Sequence, residues 1–233
     1  YPAVVFFIAI FAVIGMLLFI VPVFATMFSD MGGSLPPLTA ALVGVSDFLK
    51  VGGFPILVVL VVGAFLWMRN KHKPGFREKV EPIYLKLPVF GQLTKKIAIA
   101  RFTRNLGAMI RAGVPILQAL DIVGEASGNI VIERAAKDVK ESVRTGNSLA
   151  GPLAVHPIFP PMVVQMIAVG EDTGALDQML EKIAEFYDQE VESTTEALTS
   201  LIEPLMIGVL GGIVGVMIIA MYMPIFGIFD LIN

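Results

Sequence analysis

The sequence predicts an all-α, polytopic membrane protein with three transmembrane helices and one cytoplasmic helical bundle. Three observations point there. Hydrophobic residues make up 56% of the 233 and charged residues 16%, and the mean hydropathy is +0.80, which is too apolar for an ordinary soluble domain. Residues 201–229 are almost wholly apolar and continue directly from an acidic, helix-patterned segment, and a bilayer span needs roughly 20 such residues. Between the apolar stretches no alternating, β-branched strand pattern bounded by turns is found, so the polar middle reads as helix.

The elements follow in order. Residues 1–25 carry no charge and exceed the apolar core of a signal peptide, so they form transmembrane helix 1. The chain opens Tyr1-Pro2 inside this run with no initiator methionine, and we expect it to be part of something longer. Residues 26–51 are a periplasmic loop with turn signals at Gly32-Gly33 and Pro36-Pro37. Within that loop Leu38, Leu42, Val45 and Leu49 are spaced four, three and four apart, the pattern of a short helix lying on the membrane surface. Residues 52–68 are transmembrane helix 2, residues 201–229 are transmembrane helix 3, and residues 230–233 are a periplasmic tail. Trp67 and Tyr222 sit near span ends, where amphipathic rings favour the interface.

Orientation comes from the loops. The first loop holds one basic residue, Lys50, whereas Arg69, Lys71, Lys73, Arg77 and Lys79 crowd the segment after the second span. Basic residues stay on the cytoplasmic side, so residues 69–200 form the cytoplasmic domain. Its helices are punctuated by glycine and proline. One helix covers residues 94–112 and stops at Gly113-Val114-Pro115, and the next runs from Pro115 to about Ala126. Asn129 is the expected N-cap of a helix over 130–145, in which Ile132, Ala135, Ala136, Val139 and Val143 form one stripe. Glu133, Lys137 and Glu141 are spaced for ion pairs on its other face, and Gly146 ends it. A short piece over 148–154 leads to the His156-Pro157 turn. Helix 162–169 follows and is expected to break at GEDTG, residues 170–174. The last helix starts at Ala175 and meets no glycine or proline before Glu203; Pro204 is a place for a kink. From Ala175 to Ala220 it would measure roughly 70 Å at 1.5 Å per residue.

The net charge of −3 hides a split. Residues 69–111 hold eleven Lys/Arg against two acids, a local charge of +9, and residues 171–203 hold ten Asp/Glu against Lys182, a local charge of −9. The basic set Lys95, Lys96, Arg101, Arg104 and Arg111 shares one helix. The acidic set includes Glu171, Asp177, Glu181 and Glu185. Two readings stand: the sets neutralise each other within the chain, or each faces a partner of opposite charge. Arg69 to Lys79 also suits anionic lipid headgroups. No aromatic stacking set accompanies the basic residues, so nucleic acid is not an expected partner. In the third span GVLGGIVG places Gly208/Gly212 and Gly211/Gly215 at small-xxx-small spacing, which permits close helix approach in lipid. That approach is either to the chain's own spans or to another molecule.

Catalytic chemistry has no foothold in the sequence. There is no cysteine, no phosphate-binding G-x-x-x-x-G-K-[ST] loop and no G-x-S-x-G elbow. The two histidines, His72 and His156, read as surface residues, and no cluster has metal-ligand spacing. Neither cofactor nor metal is expected. The spans hold no ionisable residue between their ends, which weighs against a transporter or channel subunit. A membrane enzyme is the remaining alternative.

Several stretches resemble one family. YPAVVFFIAIFAVIGMLLFIVPVFATMF is similar to its central span, RAGVPILQALDIVGEASGN to its helix-turn-helix signature, and PPMVVQMIAVGEDTGALDQMLEKIAEFYDQEVE with LTSLIEPLMIGVLGGIVGVMIIAMYMPIF to the hallmark of its second domain. This is the type II secretion F family, the inner-membrane platform of type IV pilus and type II secretion machines. The wording GEDTGALDQML and IEPLMI…MYMPIF resembles the pilus branch more than the secretion branch. The resemblance implies a six-helix cytoplasmic bundle, one of two such domains in the complete protein. It implies a non-enzymatic, homo-oligomeric platform, a dimer in the simplest case. It also implies contacts with a hexameric assembly or retraction ATPase, with pilin transmembrane helices and with other inner-membrane assembly components. Any ATP hydrolysis would belong to that ATPase.

Overall fold

An unpaired backbone N–H or C=O in hydrocarbon costs several kcal/mol, so chain this apolar satisfies itself as helix. The computed structural model describes residues 2–30, 35–70, 75–76, 80–81, 83, 85, 87 and 90–232, with side chains through residue 223. Every regular element among these is helical, and the described residues contain no strand. The chain divides into two compact units, one of Tyr1–Arg69 with Leu198–Asn233 and one of Asn70–Ala197.

The first unit opens with α1 (Pro2–Gly15), a π-helical turn (Met16–Ile20) and α2 (Val21–Asp30). Helicity thus continues past Ala25, the expected end of the first span. Pro22 does not stop it, because the preceding turn widens to the i→i+5 register and the Val21 N–H donates to the Met16 carbonyl. The second helix, α3, is Pro37–Asn70. It joins in one rod what the sequence divided into a surface helix over 38–49 and a span over 52–68. Gly52, Gly53 and Pro55 lie inside it. Among apolar neighbours, breaking the rod would strand more carbonyls than the one Pro55 leaves unpaired. The third helix of this unit is the later part of α9 (Leu176–Ile232), which runs unbroken through Pro204. Three helical stretches, Pro2–Asp30, Pro37–Asn70 and Leu176–Met223, are long and apolar enough to cross a membrane.

These stretches make little shared core. Leu17, Val21 and Met217 are buried together, with Val13, Met16, Leu42, Val43 and Leu49 packed against them. The part of α3 that supplies this cluster is residues 42–49. Beyond it Val51, Phe54, Val59 and Phe65 are exposed on all sides, a surface suited to lipid. The glycine pair Gly32-Gly33 and most of the basic run after Arg69 lie outside the described residues, as does Pro88.

The second unit is a water-type bundle. It contains α4 (Phe90–Arg111), α5 (Ile116–Ala126), α6 (Ile130–Arg144), α7 (Ala150–Val155), α8 (Pro161–Thr173) and the start of α9. Each contributes to one buried cluster: Ile99, Phe102 and Leu106 from α4, Leu120 and Val123 from α5, Ile132 and Val139 from α6, Leu153 from α7, Val163 and Ile167 from α8, Leu180 and Ile183 from α9. Phe102 meets Phe159 edge to face at 5.5 Å between ring centroids. Asn129 caps α6, its Oδ1 accepting from the Val131 N–H at 2.9 Å and the Ile132 N–H at 3.4 Å. The spaced acids of α6 divide their partners: Glu133 pairs with Lys137, and Glu141 pairs with Arg144. The hydrogen bond that Lys137 donates to Glu133, with the carboxylate's charge, raises the Lys137 pKa.

Two boundaries differ from expectation by four residues: α4 starts at Phe90 and not at residue 94, and α8 ends later than residue 169. Helix α8 passes through Gly170 and ends only at Gly174, which takes a left-handed φ of 71°. Gly170 serves packing and not breakage. A Cβ placed there would lie 3.0 Å from the Leu176 Cα and the Met179 Cβ, so only glycine admits the start of α9 at that distance.

Candidate partner-binding site

The basic and acidic sets of the second unit meet along the seam between α4 and α9. Gly107 permits the approach, since a Cβ there would stand 3.2 Å from the Leu180 Cβ and 3.4 Å from the Asp177 carbonyl oxygen. Four ion pairs border it. Lys96 Nζ lies 2.7 Å from Glu190 Oε2 and also donates to Thr194 Oγ1 at 2.9 Å. Arg104 pairs with Asp188, and Arg111 pairs with Glu181 and, at 3.8 Å, with Asp177. Partners rise in number on α4 as they fall on α9, so the helices are antiparallel. The hydrogen bonds that Arg111 donates to Glu181, reinforced by the charges of Glu181 and Asp177, raise the Arg111 pKa. A small polar cavity of about 200 Å³ opens beside Arg104, Arg111 and Glu181.

The other sequence-predicted residues fall elsewhere. Lys95 Nζ donates to the Pro157 carbonyl at 3.0 Å. Arg101 is exposed, its guanidinium beside Gly128. Glu185 pairs with Lys182 one turn away. Glu171 is exposed and engaged within the chain: its carboxylate accepts from the Leu149 N–H at 2.8 and 3.0 Å and from the Ala150 N–H at 3.4 Å. It therefore occupies the N-terminus of α7, where no residue of the helix itself provides a side-chain cap. Sequence reading grouped Glu171 with the acidic surface because charge pattern alone does not reveal which backbone donors lie nearby.

In the first unit Gly208 and Gly212 line an apolar crevice of about 420 Å³ with Val13, Leu17, Leu42 and Val45. A Cβ added at Gly208, Gly211, Gly212 or Gly215 would meet nothing within 4 Å. No described helix of this chain closes on these glycines.

Two residues of this unit escaped the sequence reading. Thr39 and Ser46 are buried on α3, and each donates to a carbonyl of another helix, Thr39 Oγ1 to Ala220 at 2.5 Å and Ser46 Oγ to Leu17 at 2.6 Å. Their spacing of seven puts both on one face. Among the described residues no group of three His, Asp or Glu side chains is placed to hold a metal ion.

Span-capable helices joined to an ion-paired helical bundle define a polytopic helical membrane protein. The family model for type II secretion system (T2SS) protein F matches residues 102–224, and the chain belongs to that family. It is 45% identical over 230 residues to a type IV pilus assembly protein PilC of Myxococcus xanthus, covering 98% of this chain and 55% of that protein. It is 43% identical to the PilC of Thermus thermophilus, covering 98% and 56%. A type II secretion system protein F of Pseudomonas aeruginosa is 35% identical, covering 100% of this chain and 58% of that protein. The chain thus spans a little over half the length of the curated relatives it matches.

Proposed function

We propose that this chain is part of an inner-membrane platform of a type IV pilus assembly machine, which couples a cytoplasmic assembly or retraction ATPase to the insertion or extraction of pilin subunits. The observation that carries the reading is the match along nearly the whole chain to relatives named for type IV pilus assembly, more similar than the relative named for secretion. The basic flank of the second span supports a cytoplasmic placement of the bundle. In this reading the platform is a non-enzymatic scaffold. The pairing of Lys96, Arg104 and Arg111 with acids of the same chain leaves Lys95 and Arg101 as the basic residues of α4 best placed to meet the ATPase.

The test uses the full-length protein in its own host. Deleting it removes surface filaments, and the tagged protein co-purifies with a hexameric ATPase. Arg101→Glu weakens that co-purification more than Arg104→Glu. Filaments that persist in the deletion strain overturn the reading. Ion flux from the purified protein in liposomes, or ATP turnover by it alone, replaces it with a transporter or an enzyme.

A further inference from the structure

A proline in a helix removes one N–H, so the carbonyl four residues earlier loses its donor. In water the solvent replaces it, but in an apolar surround another group must. Two carbonyls of the first unit that lack their helical donor beside a proline are served from α3. The Ala220 carbonyl would be served by residue 224, which is Pro224; instead it accepts from Thr39 Oγ1 at 2.5 Å. The Leu17 carbonyl is stranded twice. Its α-helical donor, the Val21 N–H, is given to Met16 in the π turn. Its donor in the wider register would be residue 22, which is Pro22. It accepts from Ser46 Oγ at 2.6 Å.

We infer that Thr39 and Ser46 form a two-point clamp by which α3 closes the proline-opened hydrogen-bond ladders of the two other span-capable helices. Each proline site is a place where its helix bends if left alone. The hydroxyl holds it in one geometry, and α3 thereby fixes the shape of both neighbours. Thr39 is 3% exposed and Ser46 is fully buried, so water does not compete for either carbonyl. Removing a hydroxyl frees its neighbour to bend at the proline.

The clamp makes a prediction that simple packing does not: each hydroxyl matters only while its proline is present. In detergent, Ser46→Ala lowers the melting temperature of the full chain by about 2–4 °C, a shift ordinary for losing one buried hydrogen bond at this size. Restoring the backbone donor with Pro22→Ala makes the same Ser46→Ala change nearly silent. Thr39→Val behaves likewise, with Pro224→Ala as its suppressor. Equal losses with and without the proline, or no loss in either background, overturn the clamp. A second readout serves if a proline variant does not fold. The chain has no cysteine, so spin labels at cysteines introduced for Phe11 and Met27, both exposed, report the bend across the π turn. Ser46→Ala broadens that distance distribution, and Ser46→Thr, which keeps the hydroxyl, leaves it narrow. Equal widths in Ser46→Ala and the parent overturn the proposal.

Discussion

Gly124 and Gly212 are both helical glycines, and they live under opposite rules. A Cβ at Gly124 would lie 3.0 Å from the Ala136 Cβ, whereas one at Gly212 would meet nothing within 4 Å. The first glycine sits in a unit whose helices are driven together by water, and there close approach adds dispersion to hydrophobic burial. The second sits among span-capable helices, where lipid solvates an apolar side chain as well as a neighbouring helix does and burial alone brings no association. The same contrast governs polar groups. The bundle satisfies helix ends with side chains such as Asn129 and Glu171, while the spans satisfy stranded carbonyls with hydroxyls reaching across from α3. What holds each unit together is therefore different: a filled interior in one, a few directional bonds in the other.

The contrast is sharpest at the centre of the bundle. Phe102→Ala removes a fully buried ring and is expected to cost about 3–5 kcal/mol, read by denaturant or thermal unfolding of the full chain. A loss below 1 kcal/mol would mean the bundle is not organised around this core. Next come the glycines. Gly124→Val and Gly170→Val force side chains into contacts near 3.0 Å and should each destabilise by about 1–3 kcal/mol. Gly211→Leu and Gly212→Leu should leave the monomer's melting temperature unchanged, and any effect they have should appear in the oligomer seen by detergent size exclusion. If Gly212→Leu melts the monomer as Gly124→Val does, the two units are packed alike and the contrast fails.

Caps come third. Glu171→Ala leaves the Leu149 and Ala150 N–H groups without their acceptor, and hydrogen bonds to a charged group are worth about 1.5–3 kcal/mol. Asn129→Ala is expected to cost about 1 kcal/mol. Faster amide exchange confined to the first turns of α7 and α6 respectively would locate each loss. The smallest effect belongs to the exposed pair Arg104–Asp188, where exposed pairs contribute about 0.2–1 kcal/mol. Arg104→Glu should lower the melting temperature slightly, Asp188→Lys should restore it, and 1 M salt should erase the difference. A reversal that is not restored within the chain would assign Arg104 to an external partner.

Hydropathy and punctuation made most of the fold legible. The span-capable helices announced themselves because a long, continuous apolar run satisfies its own backbone in hydrocarbon as helix, and Asn129, Gly113 and Gly146 sit where caps and turns require their chemistry. Sequence was less informative where one residue type has two uses. Gly170 looked like a stop and is a contact; Gly52 marked the expected start of a separate span and lies inside α3. For the charged seam, sequence supplied the two opposite sets but not their pairing, which depends on α4 and α9 running antiparallel at Gly107. Thr39 and Ser46 were invisible for a similar reason. Pro22 and Pro224 advertise missing donors in the sequence, but which helix replaces them is decided only by tertiary adjacency.

The seven-residue interval between Thr39 and Ser46 has one further effect. Sliding α3 by a single residue would shift it 1.5 Å along its axis and turn it by about 100°, pulling both oxygens away from their acceptors at once. Two pegs set two turns apart thus give this rod one seating among many that its largely apolar sides would otherwise tolerate.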